Sequence, residues 1–378
     1  MTMTIIKKDI YMDKKNLNLE KIGKLNMNFI FINDFIEYFN LDTIDFGFLV
    51  LGLIKSLLLV LLMLGTIAFY ILVERNVIGS IQRRKGPNNV GAYGLLQSIA
   101  DGFKLILKEA VIPRSGNRGL FIAAPMVTLF VGLGCWAVIP FGEGSFISNI
   151  NLGVLYLFAF SAVGVYAIIM AGWASNSKYA FLGAVRSAAQ MLSYEVGFGM
   201  CLLSIFLISG SLNLSVIVQK QQDSVWFFIP LFGLFLVFFI CMLAETNRHP
   251  FDLPEAEAEL VSGYNVEYSS LMFAYFFLGE YAAILNMSAF CAIAFFGGWD
   301  FPILPELAFL WFALKIWFFG FLFVLVRCVL PRYRYDQLIS LGWKKLVPLT
   351  IGYVMFIASF LFFFQSGEVI DLSINMVK

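Results

Sequence analysis

Histidine occurs once in the 378 residues, at His249, and cysteine five times, at 135, 201, 241, 291 and 328. The cysteines lie in or at the edges of apolar runs, with no CxxC pair and no histidine beside them. Neither a structural zinc site nor an iron–sulfur cluster is encoded by such a pattern. Histidine-held haem is not expected either, although a Cys or Met ligand stays open. The order GxxxxGK(S/T) is missing, which removes a P-loop phosphate site. Any redox centre that this chain serves is therefore expected on a partner. Charge is scarce too: 13% of residues are charged, 60% fall in the hydrophobic class, and Phe alone accounts for 42. A soluble chain of this size could not cover so much apolar surface.

Eight runs are long enough to cross a hydrocarbon core of about 30 Å as helices, at roughly 46–74, 120–141, 152–173, 189–209, 226–244, 269–297, 307–327 and 345–364. Period-two alternation is absent, and the runs are far longer than barrel strands. The predicted fold class is all-α, a polytopic membrane protein of about eight helices. Its predicted organisation is an N-terminal extension (1–45), an eight-helix membrane domain (46–365) and a short C-terminal tail (366–378). The extension contains no Arg but includes Asp9, Asp13 and Glu20, a poor fit to a transit peptide. It reads as a peripheral tail, with 28–39 as an interfacial helix.

Lys and Arg concentrate in the odd-numbered loops. The first holds Arg75, Arg83, Arg84, Lys85, Lys104, Lys108, Arg114 and Arg118; the third Lys178 and Arg186; the fifth Arg248; the seventh Arg332, Arg334, Lys344 and Lys345. The even loops hold only Lys220, so the odd loops are predicted to face the cytoplasm or matrix. The six lysines from Lys7 to Lys24 oppose that orientation, but they lie beyond the roughly 15–20 residues over which the bias counts. Within the first loop, Leu95, Ile99, Phe103, Ile106 and Ala110 recur at three- and four-residue steps. Gln97, Asp101, Lys104 and Lys108 recur on another face, which predicts an amphipathic surface helix over 91–110. Its basic groups suit anionic lipid headgroups or an acidic partner surface.

The fifth loop, ETNRHPFDLPEAEAELVSGYNVEY, is the least lipid-like stretch, with six carboxylates, Arg248 and His249. A short helix starting near Pro254 would place Glu255 and Glu259 on one face and Glu257 on another. Glu195 and Glu280 lie inside apolar runs, and Glu245 closes one. An ionised carboxylate at the membrane centre costs on the order of 3 kcal/mol, so these three must face inward, be wet or carry protons. Two readings remain: a proton relay, or acids that only bond helix to helix. Lys55, near a run's start, is placed to snorkel; the deeper Lys315 either pairs with a carboxylate or orients water. His249 is assigned no catalytic role.

Six segments carry a resemblance: ER at 74–75, QRRKGPNNVGAYGLLQSIADGFKLILKE at 82–109, GWASNSKYAFLGAVRSAAQMLSYEV at 172–196, ETNRHPFDLPEAEAELVSGYNVEYS at 245–269, GEY at 279–281 and LPRYRYDQL at 330–338. In this order they resemble the subunit 1 family of respiratory NADH dehydrogenase, the membrane heel of NADH:quinone oxidoreductase, from about residue 46 to 365. The resemblance implies a subunit that helps form the ubiquinone chamber and couples quinone reduction to proton translocation. It implies Glu195, Glu245, Glu255 and Glu280 as the proton relay. It implies Glu74, Arg75, Arg84, Asp101, Arg186, Arg248 and Asp252 as lining the chamber or its mouth. No cofactor is expected on this chain; ubiquinone is the implied substrate, with NADH, flavin and iron–sulfur clusters on partner subunits. The implied partners are hydrophilic quinone-site and iron–sulfur subunits, antiporter-like membrane subunits and lipid, with no nucleic acid. Heavy use of Phe, Ile, Asn and Lys suits an AT-rich organellar gene and hence the mitochondrial inner membrane, with a bacterial plasma membrane as the alternative. A stand-alone proton or ion transporter, a heel subunit of a membrane-bound hydrogenase and an assembly anchor are the competing readings.

Overall fold

A computed structural model describes residues 46–145, 147–252, 261–301 and 307–376. The expected N-terminal extension, Glu255 and the helix anticipated near Pro254 lie outside the described residues. Two compact units divide the chain, 1–57 and 58–378, and the packing described below belongs to the second. Among the described residues the fold is all-α, and its helices are α1 (Phe46–Ile81), α2 (Gln97–Leu107), α3 (Arg118–Gly134), α4 (Gly153–Ala174), α5 (Lys178–Ser209), α6 (Leu214–Asp223), α7 (Phe232–Glu245), α8 (Ser270–Phe295), α9 (Ala308–Val329), α10 (Tyr335–Leu341) and α11 (Val347–Met376). The backbone of 366–376, expected to be a tail, continues α11 as helix.

Seven of the described helices are long and apolar enough to span a membrane, making this a multi-pass membrane protein. The fifth apolar run differs from expectation. Its helix α7 has 14 residues, about 21 Å at 1.5 Å per residue, because 226–231 is a turn rather than helix. Pro230 has no N–H to donate there, and Phe228 N–H instead bonds the Phe295 carbonyl at 3.0 Å. Besides α11, two helices outrun their predicted ends. Helix α1 continues past Glu74 to Ile81, and α5 begins at Lys178 rather than near 189. In α5 the added turns carry small residues, Gly183, Ala184, Ser187 and Ala188, all buried.

Local chemistry explains the ends. Asn117 and Ser177 cap α3 and α5, accepting the N–H groups of Leu120 at 3.4 Å and Ala180 at 3.2 Å. Gly210 ends α5 at φ 66° and donates to Phe206 O at 2.8 Å, the left-handed stop that glycine allows. The predicted surface helix at 91–110 shrinks to α2, preceded by the 3-10 turn Ala92–Gly94. Gly91 and Gly94, both at φ 76°, interrupt its start. Leu95, Ile99, Phe103 and Ile106 of that predicted face are all exposed.

Helix α8 is the hub: 72% of its apolar window is buried, against at most 50% in the other spans. Small residues bring its neighbours close. A Cβ on Gly132 of α3 would stand 2.8 Å from Ala282 Cβ of α8, and one on Gly172 of α4 2.3 Å from Ala184 Cβ of α5. Odd loops meet odd loops. Asn117 N–H bonds Ala174 O, Val111 N–H bonds Ser269 Oγ, and Tyr333 N–H bonds Pro250 O. Even segments likewise join even segments, through Val154 N–H to Leu212 O and Gln221 to Ile293 and Gly297. The basic loops therefore share one end of the helices, as the Lys and Arg distribution predicts.

Candidate functional site

Glu74 is 3% exposed, and it sits where α1, the fifth loop, α8 and α9 converge. Arg248 Nη2 donates to its Oε2 at 3.1 Å, Tyr281 Oη donates to the same oxygen at 2.5 Å, and Arg327 Nη1 donates to Oε1 at 2.6 Å. Two guanidiniums and a phenol thus hold one carboxylate, which is why α1 can carry an acid so near its apolar run. The Arg248 guanidinium also stacks over the Tyr281 ring at 4.6 Å. Burial works against the charge on Arg248, yet Tyr281 and Glu74 outweigh it and its pKa is raised. Beside this cluster Tyr70 meets Tyr281 edge-on at 5.9 Å and donates to Gly320 O at 2.8 Å.

A cavity of about 110 Å³ lies among α3, α4, α5, α7 and α8, large enough to hold water. Its wall is mostly apolar, with Phe158, Phe198, Phe276 and Phe290, but Glu245, Glu280, Thr128, Ser161 and Asn286 also line it. Glu195 stands within Coulombic reach of Glu245. Glu195 Oε1, Glu245 Oε2 and Asn286 Oδ1 are buried acceptors with no hydrogen-bond partner among the described residues, each costing about 1–3 kcal/mol unless a proton or water satisfies it. Glu280 accepts from the Tyr264 hydroxyl at 2.6 Å.

Glu280 and Tyr281 are neighbours on α8 and point to different places. One lines the cavity and the other holds Glu74. Arg248 lies within Coulombic reach of both Glu74 and Glu280. Among the described residues the basic-side charge cluster and the intramembrane cavity therefore meet at Glu280 and Tyr281 of α8 and at Asn247, which lines the cavity next to Arg248.

The remaining predicted residues divide between near and far. Arg75 bonds Asp101 at 2.8 Å, and Gln97 and Lys104 flank that same acid; this pair ties α1 to α2 rather than joining the Glu74 cluster. Asp252 pairs with Arg332 at 3.0 Å, joining the fifth and seventh loops. Arg84 is exposed and donates to Gln82 Oε1 at 2.8 Å, a local contact in the first loop. Arg186 is partly buried on α5. Half-buried His249 has its pKa lowered from 6.5 by burial first, then by Arg332 and Arg327, so it is neutral at pH 7.

Several participants are invisible in the sequence reading. Arg327 is only the last residue of the 307–327 apolar run there, and Tyr281 and Tyr264 look like ordinary aromatics. Gln190, fully buried on α5, offers the two N–H donors of Nε2 to three acceptors within reach, Ala244 O at 3.0 Å, Phe251 O at 2.8 Å and Asn247 Oδ1 at 3.1 Å. It pins the chain on both sides of Arg248. Among the described residues Lys315 pairs with no carboxylate: its ammonium donates to the carbonyls of Phe296, Gly298 and Asp300 at 2.6–2.9 Å, beneath the Trp226 ring. Among the described residues, too, no cluster of three or more His, Cys, Asp or Glu is arranged to hold a metal.

Comparison with known proteins gives this arrangement a family. The model of the family described as NADH dehydrogenase matches residues 54–358. The chain is 56% identical over 319 residues to a subunit of the NADH-quinone oxidoreductase of Rhodospirillum rubrum, covering 82% of this chain and 94% of that one. It is 55% identical over 323 residues to NADH-ubiquinone oxidoreductase chain 1 of Chondrus crispus, covering 84% and 99%, and 54% identical to the Arabidopsis thaliana protein of that name, covering 84% and 97%. With the family match spanning both the Glu74 cluster and the acid-lined cavity, this chain belongs to the NADH dehydrogenase family of membrane subunits.

Proposed function

We propose that this chain is the membrane subunit of a respiratory NADH:quinone oxidoreductase in which reduction of quinone on the basic side is converted into proton movement through Glu280, Glu245 and Glu195. The observation that carries the reading is the acid-lined cavity between Glu245 and Glu280, joined to the Glu74–Arg248 cluster through Tyr281. Reduction of a quinone to quinol consumes two electrons and two protons. It therefore changes charge and proton demand beside the basic loops, where Arg248 senses both Glu74 and Glu280.

NADH is the reductant, and its electrons would reach the quinone through flavin and iron–sulfur clusters held by hydrophilic partner subunits. This chain supplies an apolar route for a lipid-soluble quinone, a fixed set of guanidiniums at the mouth, and carboxylates that pass protons onward. Glu255 belongs to the same acid set by its place in the fifth loop. Arg75, Asp101, Asp252, Arg84 and Arg186 belong to the basic-side surface that hydrophilic subunits cover. Glu195, partly exposed on α5 beside Leu192 and Val196, is the acid closest to a neighbouring membrane subunit of the antiporter-like kind.

Glu245→Gln in the intact complex tests this. The relay reading expects unchanged abundance on native gels and a fall of at least about tenfold in quinone reduction per assembled complex. Lower abundance with normal activity per complex would instead assign Glu245 to structure alone.

A further inference from the structure

Tyr264 occupies the short 3-10 turn Gly263–Asn265 of the fifth loop and is 2% exposed. Its hydroxyl reaches into the membrane domain and donates to Glu280 Oε1 at 2.6 Å. We propose that Tyr264 is the positioning residue through which the fifth loop holds the Glu280 carboxylate, so that movement of this turn changes how Glu280 faces the cavity. The inference rests on the relay reading of Glu280.

Three features make the contact a latch rather than a chance neighbour. First, the turn is seated tightly: a Cβ on Gly183 of α5 would stand 2.9 Å from Gly263 Cα, so only glycine lets α5 approach the loop so closely. Second, the loop enters the turn through Val261 at φ 67°. A β-branched residue rarely adopts that conformation, so contacts elsewhere must hold it. Third, the Tyr264 ring is fixed independently of its hydroxyl, edge-on to Phe276 of α8 at 5.4 Å. Phe276 in turn meets Tyr268, which stacks on Phe121 of α3 at 4.0 Å.

A phenol held by its ring offers a fixed donor, and a carboxylate that accepts it has one oxygen committed toward the loop. Shifting the turn withdraws the donor and releases the carboxylate toward Thr128 and Asn286 across the cavity. No covalent bond is made or broken. The loop that carries Arg248 at its start thus carries, near its end, the group that orients the first intramembrane acid.

Tyr264→Phe removes the donor and keeps the ring. In the intact complex the expected result is unchanged assembly, a fall of about tenfold in quinone reduction per complex, and a displaced pH–rate profile. Added to Glu280→Gln, Tyr264→Phe should cause no further loss, because it acts through that acid. Glu280→Asp, which draws the carboxylate back from the phenol without altering the loop, should reproduce the slowed rate and displaced profile. It carries the test if the Phe variant fails to assemble. If Glu280→Gln slows the enzyme but Tyr264→Phe and Glu280→Asp both keep the wild-type rate and profile, the latch is wrong and the relay stands. If the Phe change slows the Gln variant by the same factor as it slows wild type, Tyr264 acts elsewhere. If Glu280→Gln itself matches wild type, the relay reading fails first.

Discussion

Arg248→Met should be the most damaging single change in the Glu74 cluster, and the structure says by how much relative to its neighbours. Glu74 keeps a side-chain exposure of 4% and Arg248 of 12%, whereas Arg327 is 37% exposed. Removing one partner of a buried pair costs about 3–5 kcal/mol, because the other charge is left behind in a poor solvent. Arg327 and Tyr281 still bond Glu74 after the change, which points to the lower end, about 3 kcal/mol, or roughly a hundredfold in the folded-to-unfolded ratio. Arg327→Met removes a partner whose other side is wet. Its cost should be nearer about 1 kcal/mol despite the shorter 2.6 Å contact. Glu74→Gln combined with Arg248→Met deletes both buried charges and should be milder than Arg248→Met alone. The assay is the amount of assembled complex on native gels and its thermal inactivation midpoint in the three variants. Equal loss from Arg248→Met and Arg327→Met, or a double variant worse than the Arg248 single, would refute burial as the source of the cost.

Two further outcomes follow from particular contacts. His249 has a pKa depressed below 6.5 in the folded chain, so the unfolded state takes up a proton first as pH falls. Stability should therefore decline from about pH 6.5 downward until the depressed value is passed, and His249→Gln should remove that part of the acid sensitivity in inactivation curves. Lys315→Met keeps the side chain's length but leaves the carbonyls of Phe296, Gly298 and Asp300 without their donor. A loss of about 2–3 kcal/mol should lower the inactivation midpoint, with quinone reduction per surviving complex unchanged.

The helices were legible wherever apolar length alone decides, as in α3, α4, α8 and α9. They were less legible where tertiary bonds override composition. Glu74 and Arg75 look like a helix end, yet α1 continues because Arg248 and Arg327 neutralise Glu74 from other segments. The start of α5 looks like loop, with Lys178, Arg186 and Ser187, but its small residues form a face that packs on α4 and on Gly263. In the fifth run, 226–231 reads as membrane helix by hydropathy and is a turn because of Pro230 and the bond from Phe228 to Phe295. Helix α6 is too polar and short to have been marked at all.

Site residues followed the same division. Glu195, Glu245 and Glu280 stood out because an acid in an apolar run is costly, and the structure brings Glu245 and Glu280 to one cavity. Their partners did not stand out. Tyr281, Tyr264 and Gln190 act by where the fold delivers a hydroxyl or amide, and no local spacing signals that. Arg75 and Asp101 were legible as charges of the first loop, but their pairing with each other follows from α2 lying along α1.

Quinone reduction and proton translocation in Glu280→Gln, each measured as a rate per assembled complex, put the relay to its plainest test. The intact complex would be reconstituted into vesicles, driven by NADH, and scored for quinone reduction and proton translocation per assembled complex. Both rates should fall together, by about tenfold or more, while assembly is unchanged. Wild-type quinone reduction with a wild-type proton-to-electron ratio would contradict the relay.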